Sequence, residues 1–257
     1  MEQGRAKNLA ELADQIIREL WQDQRVDLEH AAISFAAEDG QLRLEGEVPG
    51  LAAKRIVANI SQQLAGDSTV VEDRLCLQAD VASDADIARK VARYLSDEPE
   101  FRACSIAVHH DRESRIVQQH DRSDYRLHAR VDQGVIRLTG DVGSHTHRRF
   151  AEVLCWWVPG CVRVDNWLEV RPYESDSDNL LTDAIRIVLE KDPFVDATQV
   201  RAATAAGIVE LRGLLPTEEA HRHVVRDVWA VPGVWEVYDL THTGQPTAAN
   251  DGWSPRG

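Results

Sequence analysis

Histidines and carboxylates cluster in one polar stretch, residues 109–124, where they could together bind a metal ion. Two imidazoles and one carboxylate form a ligand set that suits zinc or iron. The stretch contains His109, His110, His120, Asp111, Asp121 and Asp124. Their spacing matches no established ligand motif, and the interspersed arginines and acids are typical of a solvated hairpin or a mobile loop. Metal-dependent activity, contact with a partner and an inert excursion of the chain are therefore all open interpretations of this stretch.

The sequence lacks the motifs of common enzyme classes. It contains no glycine-rich phosphate loop, no nucleophile elbow and no His-Glu-x-x-His stretch. Two basic triplets, His147-Arg148-Arg149 and His221-Arg222-His223, could contact a ligand or could lie on solvated helix faces. We therefore predict a protein that is not an enzyme, with no catalytic residues, no metal-binding residues and no cofactor. The sequence does not identify the residues that bind a ligand.

The cysteines and the net charge restrict the compartment and the partners. Cys76, Cys104, Cys155 and Cys161 form no Cys-x-x-Cys pair and lie in apolar contexts, which predicts buried reduced thiols. A Cys155–Cys161 disulfide across a helix end is the alternative. The net charge of −14 predicts no nucleic-acid partner and argues more weakly against an anionic membrane surface.

No part of the sequence has the composition of a membrane or export segment. No apolar run approaches the ~18 residues that a transmembrane helix needs. Residues 1–14 are polar and lack the apolar core of a secretory signal. We therefore predict no transmembrane segment and a cytoplasmic location, with a periplasmic location only if a leader peptide has been removed.

Three glycines recur at one spacing in three places along the chain. The three sets are Gly40, Gly46 and Gly66, then Gly134, Gly140 and Gly160, then Gly207, Gly213 and Gly233. Only 15 of the 257 residues are glycine, so chance does not explain three copies of one spacing. The chain is therefore predicted to be a tandem array of one unit of about 65–70 residues, and each unit is expected to build a thin core of its own.

The elements of the unit follow from periodicity and from the glycines. An amphipathic helix begins each unit, with Ser83-Asp84 and Ser177-Asp178 as N-caps in the second and third copies. Two strands then meet at the first glycine, which supplies the positive φ of a tight hairpin. The second glycine ends the second strand at a bulge or a close backbone approach. The second helices are predicted at 51–64, 145–158 and 218–231, and the last strands at 71–77, 162–170 and 234–241.

Two further residue sets could belong to a binding surface. Asp73, Asn166 and Asp239 share one position of the last strand, either as ligand contacts or, as we favour, by bonding nearby backbone. Trp156 and Trp157 are adjacent on a predicted helix and cannot both face one core. Trp167 and Trp235 lie on last strands, where they could cover the open sheet face. We favour packing between units over a ligand-stacking platform for these tryptophans.

The repeated pattern resembles the BON domain, a bacterial module. The resemblance rests on the stretches 132–140, 159–170, 207–213 and 232–240, and it extends from about Asn8 to Thr241. It implies an α+β fold of three tandem α-β-β-α-β units, each with two helices packed on one face of a small mixed sheet. The predicted domains are residues 1–79, 83–172 and 176–242. The second carries an insert of about 20 residues near 109–124, and a disordered tail, 243–257, follows the third.

The resemblance also implies a function class. The family is not known as catalytic; its envelope members are associated with phospholipid binding, a cytoplasmic relative binds potassium, and soluble three-copy members are associated with stress responses. We therefore expect a non-enzymatic binding or scaffolding protein linked to stress or to envelope and osmotic homeostasis. Its partner would be an unknown protein, a small ligand or an ion, and its recognition surface would combine exposed sheet faces and helix grooves. Phospholipid or ion binding, and metal-dependent activity at the insert, are the alternatives. The oligomeric state is not predicted.

Overall fold

The protein folds into three successive α-β-β-α-β units, and the second of them carries an additional hairpin. The computed structural model describes residues 2–23, 25–26, 31–38, 41–66, 69–119 and 125–244. The first unit comprises α1 (Glu2–Gln22), β1 (Ala32–Glu38), β2 (Gln41–Val48), α2 (Leu51–Ala65) and β3 (Val71–Leu77). The second comprises α3 (Asp84–Asp97), β4 (Cys104–His110), β5 (Glu113–Gln118), β6 (Tyr125–Asp132), β7 (Val135–Val142), α4 (His145–Trp156) and β8 (Arg163–Val170). The third comprises α5 (Asp178–Lys191), β9 (Val200–Ala205), β10 (Ile208–Leu215), α6 (Glu218–Ala230) and β11 (Glu236–Thr243).

Each unit has its own mixed sheet. The strand orders are β1-β2-β3 in the first unit, β5-β4-β6-β7-β8 in the second and β11-β10-β9 in the third. The strands that flank the hairpin turn are antiparallel, whereas the last strand is parallel to its neighbour. The second helix is the crossover that a parallel pair requires. The predicted α+β class and the repeated unit are therefore confirmed.

The insert of the second unit extends its sheet. It begins earlier than predicted, because β4 and β5 form a hairpin over residues 104–118. Strand β4 pairs in parallel with β6, and its side chains Ile106 and Val108 are buried beneath α3. Of the two interpretations, the hairpin is confirmed and the mobile loop is wrong for residues 109–118, whereas residues 120–124 lie outside the described ranges.

Backbone geometry explains the recurring glycines. The second glycine of each unit sits so close to a neighbouring strand that an added Cβ would lie 1.7 to 2.0 Å from a carbonyl oxygen. At the hairpin turns, Gln133 and Gly134 both have positive φ, as do Ala206 and Gly207, which is the type I′ geometry. The predicted conformations are confirmed at these positions, and Gly40 lies outside the described residues.

Aspartates at the helix starts bind the hairpin turns. The side chains of Ser83 and Ser177 are the predicted N-caps, accepting hydrogen bonds from backbone amides of the first turn. The adjacent Asp178 carboxylate accepts from the amides of Ala206 and Gly207 at 2.7 and 3.0 Å. Asp84 accepts from the amides of Gln133 and Gly134 at 2.8 Å each. The first helix therefore holds the hairpin of its own unit through a charge-assisted contact that the sequence analysis missed.

The three units share one hydrophobic core. The buried side chains of the described residues form a single connected cluster that runs through all three units, which corrects the expectation of separate thin cores. Helices make this connection, because α4 packs on α5 and on α6, and α2 packs on α6. The helices therefore face one another, and the opposite face of each sheet points outward. Every helix in the described part of the chain is too short or too polar to span a lipid bilayer.

Candidate functional site

A cavity of about 480 Å³ lies where the three units meet. Its size falls within the range of small-molecule sites. Aromatic side chains form much of its wall, and the ends of α3 and α5 carry charged groups at its edge. Residues from four helices and from the segment after α5 line the cavity, among them Leu51, Tyr94, Trp156, Trp157, Asp192, Phe194, His223 and Arg226.

Two buried carboxyl groups lie beside this cavity. Asp192 follows the last turn of α5 and Asp227 lies on α6, and both are almost fully buried. One guanidinium nitrogen of Arg226, Nη2, donates to both carboxyl groups at 3.0 Å. Asp192 also accepts from the amide of Phe194 at 2.8 Å and lies 2.8 Å from Nδ1 of His223. The two carboxyl groups are therefore held together by one cation.

The environments of the two acids shift their pKa values in opposite directions. Burial, reinforced by the hydrogen bond with Asp192, raises the pKa of Asp227 to about 7. Burial also opposes ionisation of Asp192, but hydrogen bonds with Asp227, the Phe194 amide and His223 outweigh it and lower the pKa of Asp192. Two adjacent carboxyls in a low-dielectric site do not both ionise easily. The pair can therefore hold a proton near neutral pH, which couples the junction to pH.

The adjacent tryptophans confirm the prediction of packing between units. The indole nitrogen of Trp157 donates to Asp227 of the third unit at 3.1 Å. Trp156 is buried and donates to Glu152, which forms a 2.7 Å ion pair with Arg55 of the first unit. The two tryptophans of the last strands, Trp167 and Trp235, remain substantially exposed.

The first basic triplet is neither a ligand patch nor a solvated face. Arg149 is buried and donates to the carbonyl of Pro232 at 2.8 Å and to Asp176 at 2.7 Å. The ring of His147 lies 6.0 Å from that of Phe101, and burial lowers its pKa. Arg149 therefore connects the second unit to the third, whereas His147 packs within the second unit.

The second basic triplet is also engaged within the protein. Nε2 of His221 lies 2.5 Å from Asp239, and His223 belongs to the junction described above. Arg222 alone of the three is exposed. The ligand-patch interpretation is therefore corrected, because these side chains do not form one free basic surface, whereas Arg222 alone fits the solvated face.

The polar position of the last strand has a structural role, as predicted. Asp73, Asn166 and Asp239 each accept a hydrogen bond from the amide two residues later, at 2.9, 3.2 and 2.9 Å. Each also contacts the second helix of its own unit. The partners are Lys54, the carbonyl of Arg148 and His221, which are equivalent positions of the three copies. The position therefore joins the last strand to the second helix.

The structure does not bring together the histidines and acids of the alternative metal-site interpretation. Adjacent residues of a strand point to opposite faces. His109 accordingly lies against the ring of His128 at 5.9 Å on one side of the sheet, whereas His110 approaches Glu113 on the helix side at 3.8 Å. His120, Asp121 and Asp124 lie outside the described residues. Within the described ranges, no group of three histidines, cysteines or acids is placed to hold a metal ion, and all four cysteines are free thiols.

Sequence reasoning did not identify Asp192 and Asp227. A signal for Asp227 was present, since it follows Val224 by three residues and precedes Val231 by four, which places it on the apolar stripe of α6. The sequence does not indicate that Asp227 lies beside Asp192. The two acids are far apart in sequence and meet only through the packing of α5 on α6.

Comparison with known proteins places these features in a family. Two solved structures of CdsD, a structural protein of the type III secretion system of Chlamydia trachomatis, match with a TM-score of 0.24 and 15% identity. The first, its C-terminal domain, covers 89% of this chain and 95% of its own, and the second covers 91% and 92%. Comparison with curated proteins gave no match. The family model for the BON domain matches residues 8–79, 111–172 and 177–245. These segments make up most of the chain, and the protein therefore belongs to the BON domain family.

Proposed function

We propose that this protein is a non-enzymatic scaffold that binds a partner through the outer face of its third sheet. BON domains have a binding or scaffolding role, which is the coarse function that family membership gives. The shared core supports the scaffold, because contacts between helices fix the three domains relative to one another. The domain limits 1–79, 83–172 and 176–242 form part of this proposal. The expected tail beyond Gly244 lies outside the described residues.

One observation carries the choice of the third sheet. Large apolar side chains on the outer face of β10 and β11 are exposed, at 40% for Ile208, 42% for Leu214, 58% for Tyr238 and 47% for Leu240. The register places Tyr238 and Leu240 together on the edge strand β11, beside Glu210 and Arg212 of β10, which separate Ile208 from Leu214. Neighbouring exposed apolar groups such as Tyr238 and Leu240 are typical of interaction surfaces, whereas isolated ones are not. This face therefore suits a partner with an apolar surface.

The cellular role is the finer part of the proposal. A cytoplasmic location is supported by the four free thiols, which suit a reducing compartment. A role in stress or in envelope and osmotic homeostasis is supported by the family alone. The net charge of −14 disfavours an anionic bilayer as the partner. Co-sedimentation with anionic vesicles at low salt tests this point, and binding there would favour the phospholipid alternative.

Native mass spectrometry of the protein purified from its source bacterium tests the binding surface. We expect a partner at a fixed stoichiometry, and we expect Tyr238→Ser combined with Leu240→Ser to remove it. Ile116→Ser is the matched control, because Ile116 is 66% exposed on β5, an edge strand of the second unit's sheet. A partner retained by the double variant, or lost equally in the control, would refute the assignment of this face.

A further inference from the structure

The outer face of the five-stranded sheet carries a pocket that is separate from the cavity between the units and from the proposed partner surface. A cavity of about 300 Å³ lies over β4, β6 and β7. We call it the sheet pocket, and it is lined by His109, His128, Arg130, Arg137 and Thr139. All five residues point away from α3 and α4, so the pocket opens on the side of the sheet that the helices leave uncovered.

The register brings like charges together in the sheet pocket. Arg130 on β6 lies directly opposite Arg137 on β7, and His109 on β4 lies opposite Arg130 on its other side. Directly opposed residues on one sheet face have Cβ atoms about 4.5–5.5 Å apart, and like charges in such pairs are destabilising. The fold therefore concentrates positive charge here although the whole chain is strongly acidic.

One hydrogen-bond donor of the sheet pocket lacks a partner among the described residues. Nε of Arg137 is buried and has no hydrogen-bond acceptor among the described residues. The nearest acid, Asp165, is 3.5 Å from another nitrogen of Arg137 and is already bonded to Arg163 at 3.0 Å. A buried donor without an acceptor costs about 1–3 kcal/mol. An acceptor supplied by a ligand would remove that cost.

Aromatic stacking orients one of these guanidinium groups. The Arg137 guanidinium lies 4.5 Å from the ring centroid of Trp167, which is itself 59% exposed. A stacked guanidinium loses less freedom when it binds an anion, because its plane is already fixed. Trp167 therefore positions Arg137, a residue that lines the sheet pocket.

We propose that the sheet pocket binds the phosphate group of a small, freely diffusing anion. Arginine forks match the oxygens of phosphate, and the donors here come from two neighbouring strands, with a threonine hydroxyl and two imidazoles beside them. A tetrahedral phosphate presents oxygens in several directions, whereas a planar carboxylate presents only two. Asp141 and Glu169 lie on the same outer face and would repel an anionic bilayer, which favours a small anion over a lipid surface.

Titration of the protein with inorganic phosphate, followed by NMR of the backbone amides at constant ionic strength, tests this proposal. We expect saturable shifts in β6 and β7, and an affinity that falls at least about tenfold in Arg130→Gln. Arg126→Gln is the matched control, because Arg126 is exposed on the same strand and face but does not line the sheet pocket. We expect less than a twofold change in that variant. Shifts that do not saturate, or that respond equally to the two substitutions, would overturn the site.

Two further measurements separate the sources of phosphate and guard against misfolding. Phosphate should raise the thermal midpoint of the wild-type protein above that in chloride of equal ionic strength, because a ligand stabilises the state that it binds. In phosphate-free buffer, Arg130→Gln should be at least as stable as wild type, since it removes a like-charge pair. Binding to phosphatidylglycerol vesicles without any response to inorganic phosphate would instead assign the pocket to a lipid surface. These outcomes concern the second domain alone and are independent of the partner proposed for the third.

Discussion

Gly46, Gly140 and Gly213 each face a backbone carbonyl oxygen at a distance that leaves no space for a side chain. The position was found from spacing alone, because a steric requirement of the backbone repeats wherever the unit repeats. Side chains that meet across units follow no such spacing. Arg149, for example, contacts Pro232 of another unit, and nothing in its own repeat indicates that contact.

We expect Gly46→Ala to destabilise the protein by about 3 kcal/mol or more, because the strand must move or the backbone must change conformation. The added Cβ would lie 1.7 Å from the carbonyl oxygen of Ala32. Gly50→Ala is the control in the same unit, since nothing lies within 4 Å of its Cβ position and its backbone is extended. Urea unfolding of both variants measures the difference, and equal stabilities would contradict the steric explanation.

A second prediction concerns the pH dependence of Asp227. Its pKa in the folded protein is about 7, against an ordinary value of 3.8, so the folded state retains a proton that the unfolded state releases. The free energy of unfolding should therefore fall as pH rises from about 4 to about 7, by an amount on the order of 1–4 kcal/mol.

Asp227→Asn should remove this contribution, because an amide resembles the protonated acid and keeps the acceptor used by Trp157. Urea unfolding of wild type and variant at pH 5 and pH 8 tests it. We expect the variant to gain stability relative to wild type at pH 8. An identical pH dependence in the two proteins would show that Asp227 is already ionised at low pH.

At the scale of elements, the contact between a helix start and a hairpin turn holds the unit together. Asp178 on α5 accepts from two amides of the turn between β9 and β10. An isolated hairpin is only marginally stable, and the helix stabilises it by providing a carboxylate acceptor for the two turn amides. The same contact recurs at Asp84 in the second unit, which indicates that it is a shared feature of the repeated fold.

We expect Asp178→Ala to destabilise the third domain by about 1–3 kcal/mol, because it leaves two turn amides without their acceptor. Asp183→Ala is the control, since Asp183 lies exposed on the same helix and forms only a surface ion pair with Arg186. Hydrogen exchange of the amides of Ala206 and Gly207 provides the local measurement. Unchanged protection at these amides in Asp178→Ala would refute the contact.

Elements were largely predictable from the sequence, with one informative exception. The helices and last strands lie within a few residues of their expected limits, because hydrophobic periodicity and glycine stops act locally. Strand β4 was missed although Cys104, Ile106 and Val108 alternate as a half-buried strand should. The polar residues that follow are typical of a solvated hairpin or a loop, and they mask the strand before them. The parallel pairing of β4 with β6 is a long-range choice that no local pattern contains.

At the scale of the whole molecule, the three units behave as one body because their helices share a core. A backbone hydrogen bond of 2.7 Å joins Leu77 to Val162 between the first and second units. Side-chain contacts join the third unit to the other two, through Asn59 to the carbonyl of Trp235 and through Lys191 to Glu98. The repeat predicted three copies of one fold. It did not predict the shared core, because that core depends on which helix faces of different units meet.

Differential scanning calorimetry of the 257-residue chain decides whether the three domains share one core. A shared core predicts a single transition whose calorimetric enthalpy equals its van't Hoff enthalpy, as for one cooperative unit. Three separable transitions, or a calorimetric enthalpy about three times the van't Hoff value, would show that the domains unfold independently and would contradict the shared core.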